Sequence, residues 1–178
     1  MKNVLILSGS PRRNGNSDML CDRFALGARQ ADHNVEKIFL RDRKIGYCTG
    51  CDYCFKTHKC SQKDDMAEII EKMIQADVLV FATPVYFYSM DAQMKTLIDR
   101  TLPRYTEMSH KECYFILTAA VTEKANLKRT VEGLRSFTED CLEGTTERGV
   151  IYGTGAWGVG DVQNTPAYQE AYEMGRRI

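Results

Sequence analysis

Residues 2–17 read KNVLILSGSPRRNGNS, a short apolar run that gives way to glycine, proline, asparagine and serine. Such a run, Lys2 to Leu7, predicts a buried strand that ends in a loop. After Ser17, apolar residues recur at helical spacing, and Asp18 is placed favourably for the first turn of a helix. The stretch therefore predicts a strand, a polar loop and a helix in direct succession.

The alternation of strand and helix continues along the chain. Further strands are predicted at 35–40, 77–82, 112–118 and 148–152, and further helices follow a cap at Asp64 and then at 91–101, 127–142 and 165–176. Strands and helices that alternate at these lengths imply βαβ units and a parallel sheet. We expect residues 1–178 to form a single α/β domain, a doubly wound three-layer sandwich with five strands and a cysteine-bearing insertion at about 41–63. Ligands of such sheets bind outside the carboxyl ends of the strands.

Composition excludes several classes of protein. Apolar residues make up 43% and charged residues 27% of the chain, which is typical of soluble globular proteins. The 24 basic and 24 acidic residues leave no excess positive charge to attract nucleic acid or an anionic membrane. No run approaches the ~20 apolar residues of a membrane span, and no signal peptide precedes the first strand. We therefore expect a cytoplasmic protein whose seven cysteines form no disulfide framework.

The loop at 8–17 has the composition of a phosphate site. Its serines and asparagines offer polar side chains, Gly9 and Gly15 let the backbone approach an anion, and a helix begins directly behind it. Arg12 or Arg13 can add a charge-assisted contact. The Gly-Lys-Ser/Thr ending of a nucleoside triphosphate site is absent. The alternative interpretation is a well-capped surface loop.

A second loop, TPVYFYSM at 83–90, follows the third predicted strand. Three adjacent aromatic residues at the mouth of a parallel sheet indicate a planar ligand that covers them, and an isoalloxazine ring would do so. The alternatives are a hydrophobic cluster beside a helix and a subunit interface.

The pairing of GSPRRNGNS (9–17) with TPVYFYSM, followed by QMKTLIDR (93–100), resembles the flavodoxin-like NAD(P)H-dependent FMN reductases and, within them, the iron-sulfur flavoproteins. The resemblance covers about residues 2–102. It implies FMN as the cofactor and a flavodoxin-like sheet of order 2-1-3-4-5. It also implies that the FMN phosphate is bound by Ser10, Arg12, Asn16 and Ser17, and that the ring is lined by Pro84, Val85, Tyr86, Phe87, Tyr88 and Ser89.

Four cysteines, Cys48, Cys51, Cys54 and Cys60, form a C-x2-C-x2-C-x5-C array. Four thiolates this close in sequence can hold a 4Fe–4S cluster, and tetrahedral zinc can use the same set. The spacing is similar to the compact cysteine motif of the iron-sulfur flavoproteins, in which a cluster would receive electrons from FMN. The other open alternative is that the array holds nothing. His58 can substitute as a ligand, although a lone surface histidine is more often solvated. We expect Cys21, Cys113 and Cys141 to be small buried residues.

The stretch GTGAWG at 153–158 fits the pattern of a dinucleotide-binding loop. Such a site also needs a helix that opens there, a further strand and an acidic residue about 20 positions later, and too little chain follows Gly158. We interpret the stretch as a loop at the carboxyl edge of the sheet, with Trp157 near the flavin or a neighbouring subunit.

These features predict an oxidoreductase that takes hydride from NAD(P)H onto FMN and passes electrons to a quinone, a free flavin, another small acceptor or a nearby cluster. No catalytic side chain is assigned, because the cofactor carries the chemistry. A non-enzymatic flavodoxin-like electron carrier is one alternative, disfavoured because such carriers are strongly acidic whereas this chain is neutral. A cysteine-based metal or redox sensor is another. The exposed aromatic residues and the cysteine segment are consistent with a homodimer or homotetramer.

Overall fold

A computed structural model describes residues 1–178, and strands and helices alternate along almost all of it. In chain order the elements are β1 (Asn3–Ser8), α1 (Asn16–Gln30), β2 (Asn34–Phe39), α2 (Tyr53–Thr57), α3 (Met66–Gln75), β3 (Val78–Tyr86), β4 (Ser89–Met90), α4 (Ala92–Asp99), β5 (Glu112–Thr118), α5 (Lys128–Thr138), β6 (Thr146–Gly153) and α6 (Pro166–Arg176). None of the helices is both long enough and apolar enough to span a bilayer.

The main sheet has the order β2-β1-β3-β5-β6, and all its strands are parallel. This confirms the flavodoxin-like order 2-1-3-4-5, since the fourth and fifth predicted strands are β5 and β6. The added strand β4 pairs antiparallel with the end of β3. The strand order reverses between β1 and β3, so the carboxyl ends of these two strands mark the ligand crevice expected for such a sheet.

The core lies in two layers, one on each face of the sheet. Alternate residues of β1 point to opposite faces: Leu5 and Leu7 join α3, α4 and α5 in one cluster, while Val4 and Ile6 join α1 and α6 in the other. A strand buried on both faces must be apolar at nearly every position. This is why the central strands stand out in the sequence as continuous apolar runs.

Two glycines bring the backbones of α1 and α6 into direct contact. A Cβ added at Gly27 would overlap the carbonyl oxygen of Tyr172, and one added at Gly175 would overlap that of Phe24. The Arg23 guanidinium reinforces the pair by stacking over the ring of Tyr172, 5.0 Å from its centroid. The contact fixes the position of α6, and with it the chain that leads from β6 into α6.

The structure differs from the sequence prediction in two places that matter here. β3 continues to Tyr86 and turns back into β4 through Phe87 and Tyr88, so the aromatic loop is a hairpin with both turn residues at positive φ. Helix α5 ends at Thr138, short of the predicted end at Leu142. The prediction that Cys141 is buried is therefore wrong, because it lies past the helix in an exposed turn, whereas Cys21 and Cys113 are buried as predicted.

Candidate functional site

A cavity of about 580 Å³ opens at the carboxyl edge of the sheet, and its volume is in the range of cofactor sites. It is lined by the carboxyl ends of β3 and β5 and by the loops that follow β1, β3, β5 and β6. Its walls are formed by Ser10, Arg12, Gly15, Asn16, Ser17, Pro84, Val85, Tyr86, Phe87, Thr118, Ala119, Ala120, Ala156, Trp157 and Val159. Eight of the ten residues assigned to FMN thus lie in one cavity, while Tyr88 and Ser89 lie outside its lining because the hairpin has already turned back there.

One end of the cavity is suited to an anion. The first N–H groups of α1 have no partner within the helix, and they carry the positive end of its dipole. Arg12 is exposed and forms no ion pair, whereas the neighbouring Arg13 is engaged by Asp42 at 2.7 Å. The hydroxyl of Ser10 accepts the backbone N–H of Arg12 at 3.2 Å and so holds the loop in a tight turn. Arg12 is therefore the free cation of this loop.

The side chain of Asn16 ties the first loop to the last one. Its amide nitrogen donates to the carbonyl oxygens of Ala156 (3.3 Å) and Gly158 (2.8 Å), and its oxygen accepts the N–H groups of Gly160 (3.1 Å) and Val162 (3.3 Å). The resemblance to the FMN reductases predicts that this side chain binds the phosphate. In the structure its polar atoms hold the chain after β6 against the N-terminus of α1.

Ser17 has a similar position beside the loop after β5. Its hydroxyl lies 2.6 Å from the hydroxyl of Thr118, and both residues are buried. The partners of Asn16 and Ser17 lie between 101 and 146 residues away along the chain, so no local pattern revealed them. The two side chains therefore join three of the four loops that line the cavity.

The other end of the cavity is apolar and aromatic. Pro84, Val85 and Tyr86 line one side together with Phe87, whose ring is fully exposed, and Trp157, 80% exposed, stands in the loop after β6. Asp161 holds that loop by accepting the backbone N–H groups of Trp157 (3.1 Å) and Gly158 (2.6 Å). No helix opens at 153–158, since α6 begins only at Pro166, and this agrees with our interpretation of the stretch as a loop.

The hairpin turn at Phe87 and Tyr88 holds two bulky residues at φ values of 49° and 63°. Each such residue costs on the order of 1–3 kcal/mol, and strain of this kind persists where a site requires it. Asparagine followed by glycine is the preferred sequence of such a turn. The aromatic side chains therefore occupy the turn at a cost in folding stability.

We expect the double variant Phe87→Asn, Tyr88→Gly to be more stable than the wild type by about 1 kcal/mol, because the new residues tolerate positive φ. Urea denaturation measures the change, and titration with FMN should show weaker binding by the same variant. Phe55→Asn is the control, since Phe55 is an exposed aromatic residue that is not at positive φ. Equal or lower stability of the double variant would show that the turn is unstrained.

A buried carboxylate lies beneath the two predicted loops. Asp91 is 1% exposed and caps α4 by accepting the N–H of Met94 at 3.2 Å, and it also accepts the hydroxyl of Thr83 at 3.1 Å. Its second oxygen has no partner, and a Cβ at Gly9 would overlap the carboxylate. Burial raises the pKa of Asp91 from 3.8 to about 6. The acid thus packs between the first loop and the end of β3.

This raised pKa gives the free energy of unfolding a defined pH dependence. The folded protein holds the Asp91 proton more tightly than the unfolded chain does, so stability falls as the pH rises from about 4 to about 6, by about 3 kcal/mol in total. We expect Asp91→Asn to remove this fall while it keeps the helix cap. Urea denaturation from pH 4 to pH 7.5 measures both proteins. Parallel profiles for wild type and Asp91→Asn would contradict the assignment.

The four clustered cysteines surround a second, much smaller cavity. Cys48, Cys51, Cys54 and Cys60 all line this space of about 30 Å³, while His58 lies outside the lining. A hydrogen bond between Cys51 and Ser61, at 3.3 Å, lowers the pKa of the Cys51 thiol. The donor set fits an iron–sulfur cluster in number and chemical kind. No three side chains of His, Cys, Asp or Glu are grouped closely enough to hold a metal ion, so the thiols share a cavity without forming a preassembled site.

One protein family and several curated proteins match this chain. The family described as NADPH-dependent FMN reductase matches residues 2–156. An iron-sulfur flavoprotein of Archaeoglobus fulgidus is 43% identical over 103 residues, which are 58% of this chain and 46% of that protein. The chain spans about half the length of the curated relatives it matches.

Solved structures share the fold. An NAD(P)H:quinone oxidoreductase from Methanothermobacter marburgensis superposes with a TM-score of 0.75 at 19% identity, over 99% of this chain and 96% of the other. An FMN-dependent NADH-azoreductase from Bacillus anthracis, solved in complex with FMN, superposes with a TM-score of 0.75 at 16% identity over 99% of both chains. At these identities the likeness establishes the fold alone.

Proposed function

Because the chain belongs to the NADPH-dependent FMN reductase family, we propose that its large cavity binds FMN and that the protein oxidises NAD(P)H and reduces a small acceptor such as a quinone or a free flavin. This proposal rests on one observation: a single cavity combines a helix N-terminus suited to an anion with an apolar, aromatic wall. A phosphate ester attached to a flat ring system needs this combination.

Different residues would bind the phosphate, enclose the ring and support the site. Ser10, Arg12 and the first backbone N–H groups of α1 would hold the phosphate, while Pro84 to Phe87 and Trp157 would enclose the ring. Asn16 and Ser17 would support the site from behind by holding the loops after β5 and β6 in place. Bound FMN would supply the hydride chemistry. The protein would orient the ring and leave one face open to the nicotinamide and the acceptor.

Arg12 and Arg13 provide a matched test of the phosphate site. We expect Arg12→Gln to raise the dissociation constant of FMN about tenfold or more, because a charge-assisted hydrogen bond contributes about 1.5–3 kcal/mol. Arg13→Gln should change it little, because Asp42 already engages Arg13. Quenching of flavin fluorescence measures both constants. Equal effects of the two variants would contradict the placement of the phosphate.

Turnover tests the enzymatic part of the proposal. FMN-loaded protein should oxidise NADH or NADPH in the steady state when a quinone is supplied, and the nicotinamide absorbance reports the rate. A preference for one nucleotide would emerge from the same measurement. Absence of turnover with both nucleotides would reject the reductase and favour an electron carrier.

We also propose that Cys48, Cys51, Cys54 and Cys60 hold a 4Fe–4S cluster. The support is that all four line one cavity and that the Archaeoglobus relative is named an iron-sulfur flavoprotein. Anaerobic purification followed by iron, sulfide and zinc assays tests it, and serine at all four positions should abolish iron binding. A finding of zinc without sulfide would contradict the cluster and indicate a structural zinc site instead.

Assembly into a homodimer or homotetramer is a further part of the proposal. The exposed rings of Phe87 and Trp157 flank the mouth of the large cavity, and a second copy of the chain would cover them. Sedimentation velocity of the FMN-loaded protein distinguishes these assemblies from a monomer.

A further inference from the structure

Arg100 is a fully buried cation at the end of α4. Its side chain is 1% exposed, and it is the largest of the fully buried side chains. A buried charge requires a partner, and Asp64 supplies both carboxylate oxygens, one to Nη1 at 2.7 Å and one to Nη2 at 2.9 Å. The pair joins α4 to the chain just before α3.

The same guanidinium forms hydrogen bonds with both ends of the cysteine segment, which we define as residues 46–64. Nη1 of Arg100 also donates to the carbonyl oxygen of Gly46 at 2.5 Å and to Oε1 of Gln62 at 3.1 Å. Asp64 accepts the N–H of Gly46 at 3.0 Å, and Gln62 donates to the carbonyl oxygen of Tyr47 at 2.9 Å. All four clustered cysteines lie between these ends. Arg100 therefore closes the cysteine segment into a loop.

Arg100 also forms part of the wall of the cavity that the four cysteines line. Its Nε is buried and has no hydrogen-bond partner. Buried N–H groups are nearly always satisfied in native proteins, so this unpaired N–H, on a residue that lines a cavity, is a donor available to a ligand atom there. Its other lining residues offer the sulfur atoms of the four cysteines and also oxygen atoms of polar side chains, among them Asp52 and Asp99.

We propose that Arg100 is a positioning residue for the second redox centre, which it serves by closing the cysteine segment and by donating from Nε to a thiolate or inorganic sulfide of the cluster. The second role rests on the proposed cluster. Hydrogen bonds to cluster sulfurs are among the factors that set a reduction potential. A cationic donor stabilises the reduced, more negative cluster, so Arg100 would raise the midpoint potential.

The test compares the full-length variants Arg100→Lys and Arg100→Gln with the wild type. In metal-free protein we expect amide hydrogen exchange within residues 46–64 to accelerate about tenfold or more in Arg100→Gln, because the closing contacts are lost. In anaerobically reconstituted protein we expect Arg100→Lys, which keeps the charge but has no Nε donor, to show a more negative midpoint potential by redox titration. Arg104→Gln is the matched control, since the side chain of Arg104 pairs with Glu71 and Glu107 and forms no hydrogen bond or ion pair with the cysteine segment.

The outcomes separate this inference from the cluster itself. Unchanged exchange in the cysteine segment of Arg100→Gln would overturn the closing role, and Arg100→Lys gives the same readout if the glutamine variant does not fold. An unchanged potential in a fully loaded Arg100→Lys protein would overturn the donor role. Wild-type protein that takes up no iron or sulfide would refute the cluster and with it the donor role, while the exchange measurement would still decide the closing role.

Discussion

The double variant Asn16→Ala, Ser17→Ala is expected to lose FMN during gel filtration, with a dissociation constant about 100-fold above that of the wild type. Four hydrogen bonds from one amide and one between two buried hydroxyls hold the loops after β5 and β6 against α1. Each of these five hydrogen bonds contributes about 1 kcal/mol. If about half of their total contributes to FMN binding, the loss of binding free energy approaches the ~2.7 kcal/mol that corresponds to a hundredfold change in the dissociation constant. The effect arises because two walls of the cavity lose their attachment.

Flavin fluorescence and the flavin-to-protein ratio after gel filtration measure this loss. The control is Asn164→Ala, an exposed asparagine that follows the same loop and whose side chain forms no hydrogen bond. The single variants separate the two loops, since Asn16 holds residues 156–162 and Ser17 holds Thr118. Full retention of FMN by the double variant would show that the cavity does not depend on these attachments.

Gly27→Ala is expected to lower the free energy of unfolding by about 3 kcal/mol. In an ordinary helix interior this change would stabilise the protein by about 0.5–1 kcal/mol. Here the new methyl group would overlap the carbonyl oxygen of Tyr172, which belongs to the backbone of α6 and cannot rotate away. Overpacking of this kind costs about 1–3 kcal/mol or more, because one helix must move.

Gly133→Ala is the control for this experiment. Gly133 is an exposed glycine of α5, and the nearest atom to its added Cβ is the terminal methyl of Met90, which can move. We therefore expect urea denaturation to show a small gain for Gly133→Ala and a large loss for Gly27→Ala. Changes of equal sign in the two variants would contradict the close approach of α1 and α6.

Sequence periodicity was sufficient for the framework of the fold, because its signals are local. The predicted strand at 112–118 coincides with β5, and the apolar run at 77–82 locates β3. The hairpin at the end of β3 was missed because Phe87 and Tyr88 occupy positions where asparagine and glycine are the usual signal. A turn that is strained for the sake of a site lacks the usual turn residues, so sequence patterns do not predict it.

The sequence predicts only those parts of the site in which a single loop has a recognisable sequence pattern. The loops after β1 and β3 have such patterns, whereas Thr118 and Ala156 contribute small side chains that mark no function in a sequence. The sequence also does not reveal the ion pair of Arg100, because its partner Asp64 lies 36 residues earlier, where the local pattern predicts only a helix cap. Long-range pairing of this kind depends on the packed fold.

The hydrogen bonds of Asn16 to residues 156–162 also determine when the large cavity can be completed during protein synthesis. The first loop, the aromatic hairpin and all four clustered cysteines leave the ribosome well before the last wall of the large cavity exists. At about 5–20 residues per second, roughly 7–30 seconds separate the synthesis of Asn16 from that of Val162. The complete cavity therefore exists only once the chain has been synthesised as far as Val162, well after the early βαβ units.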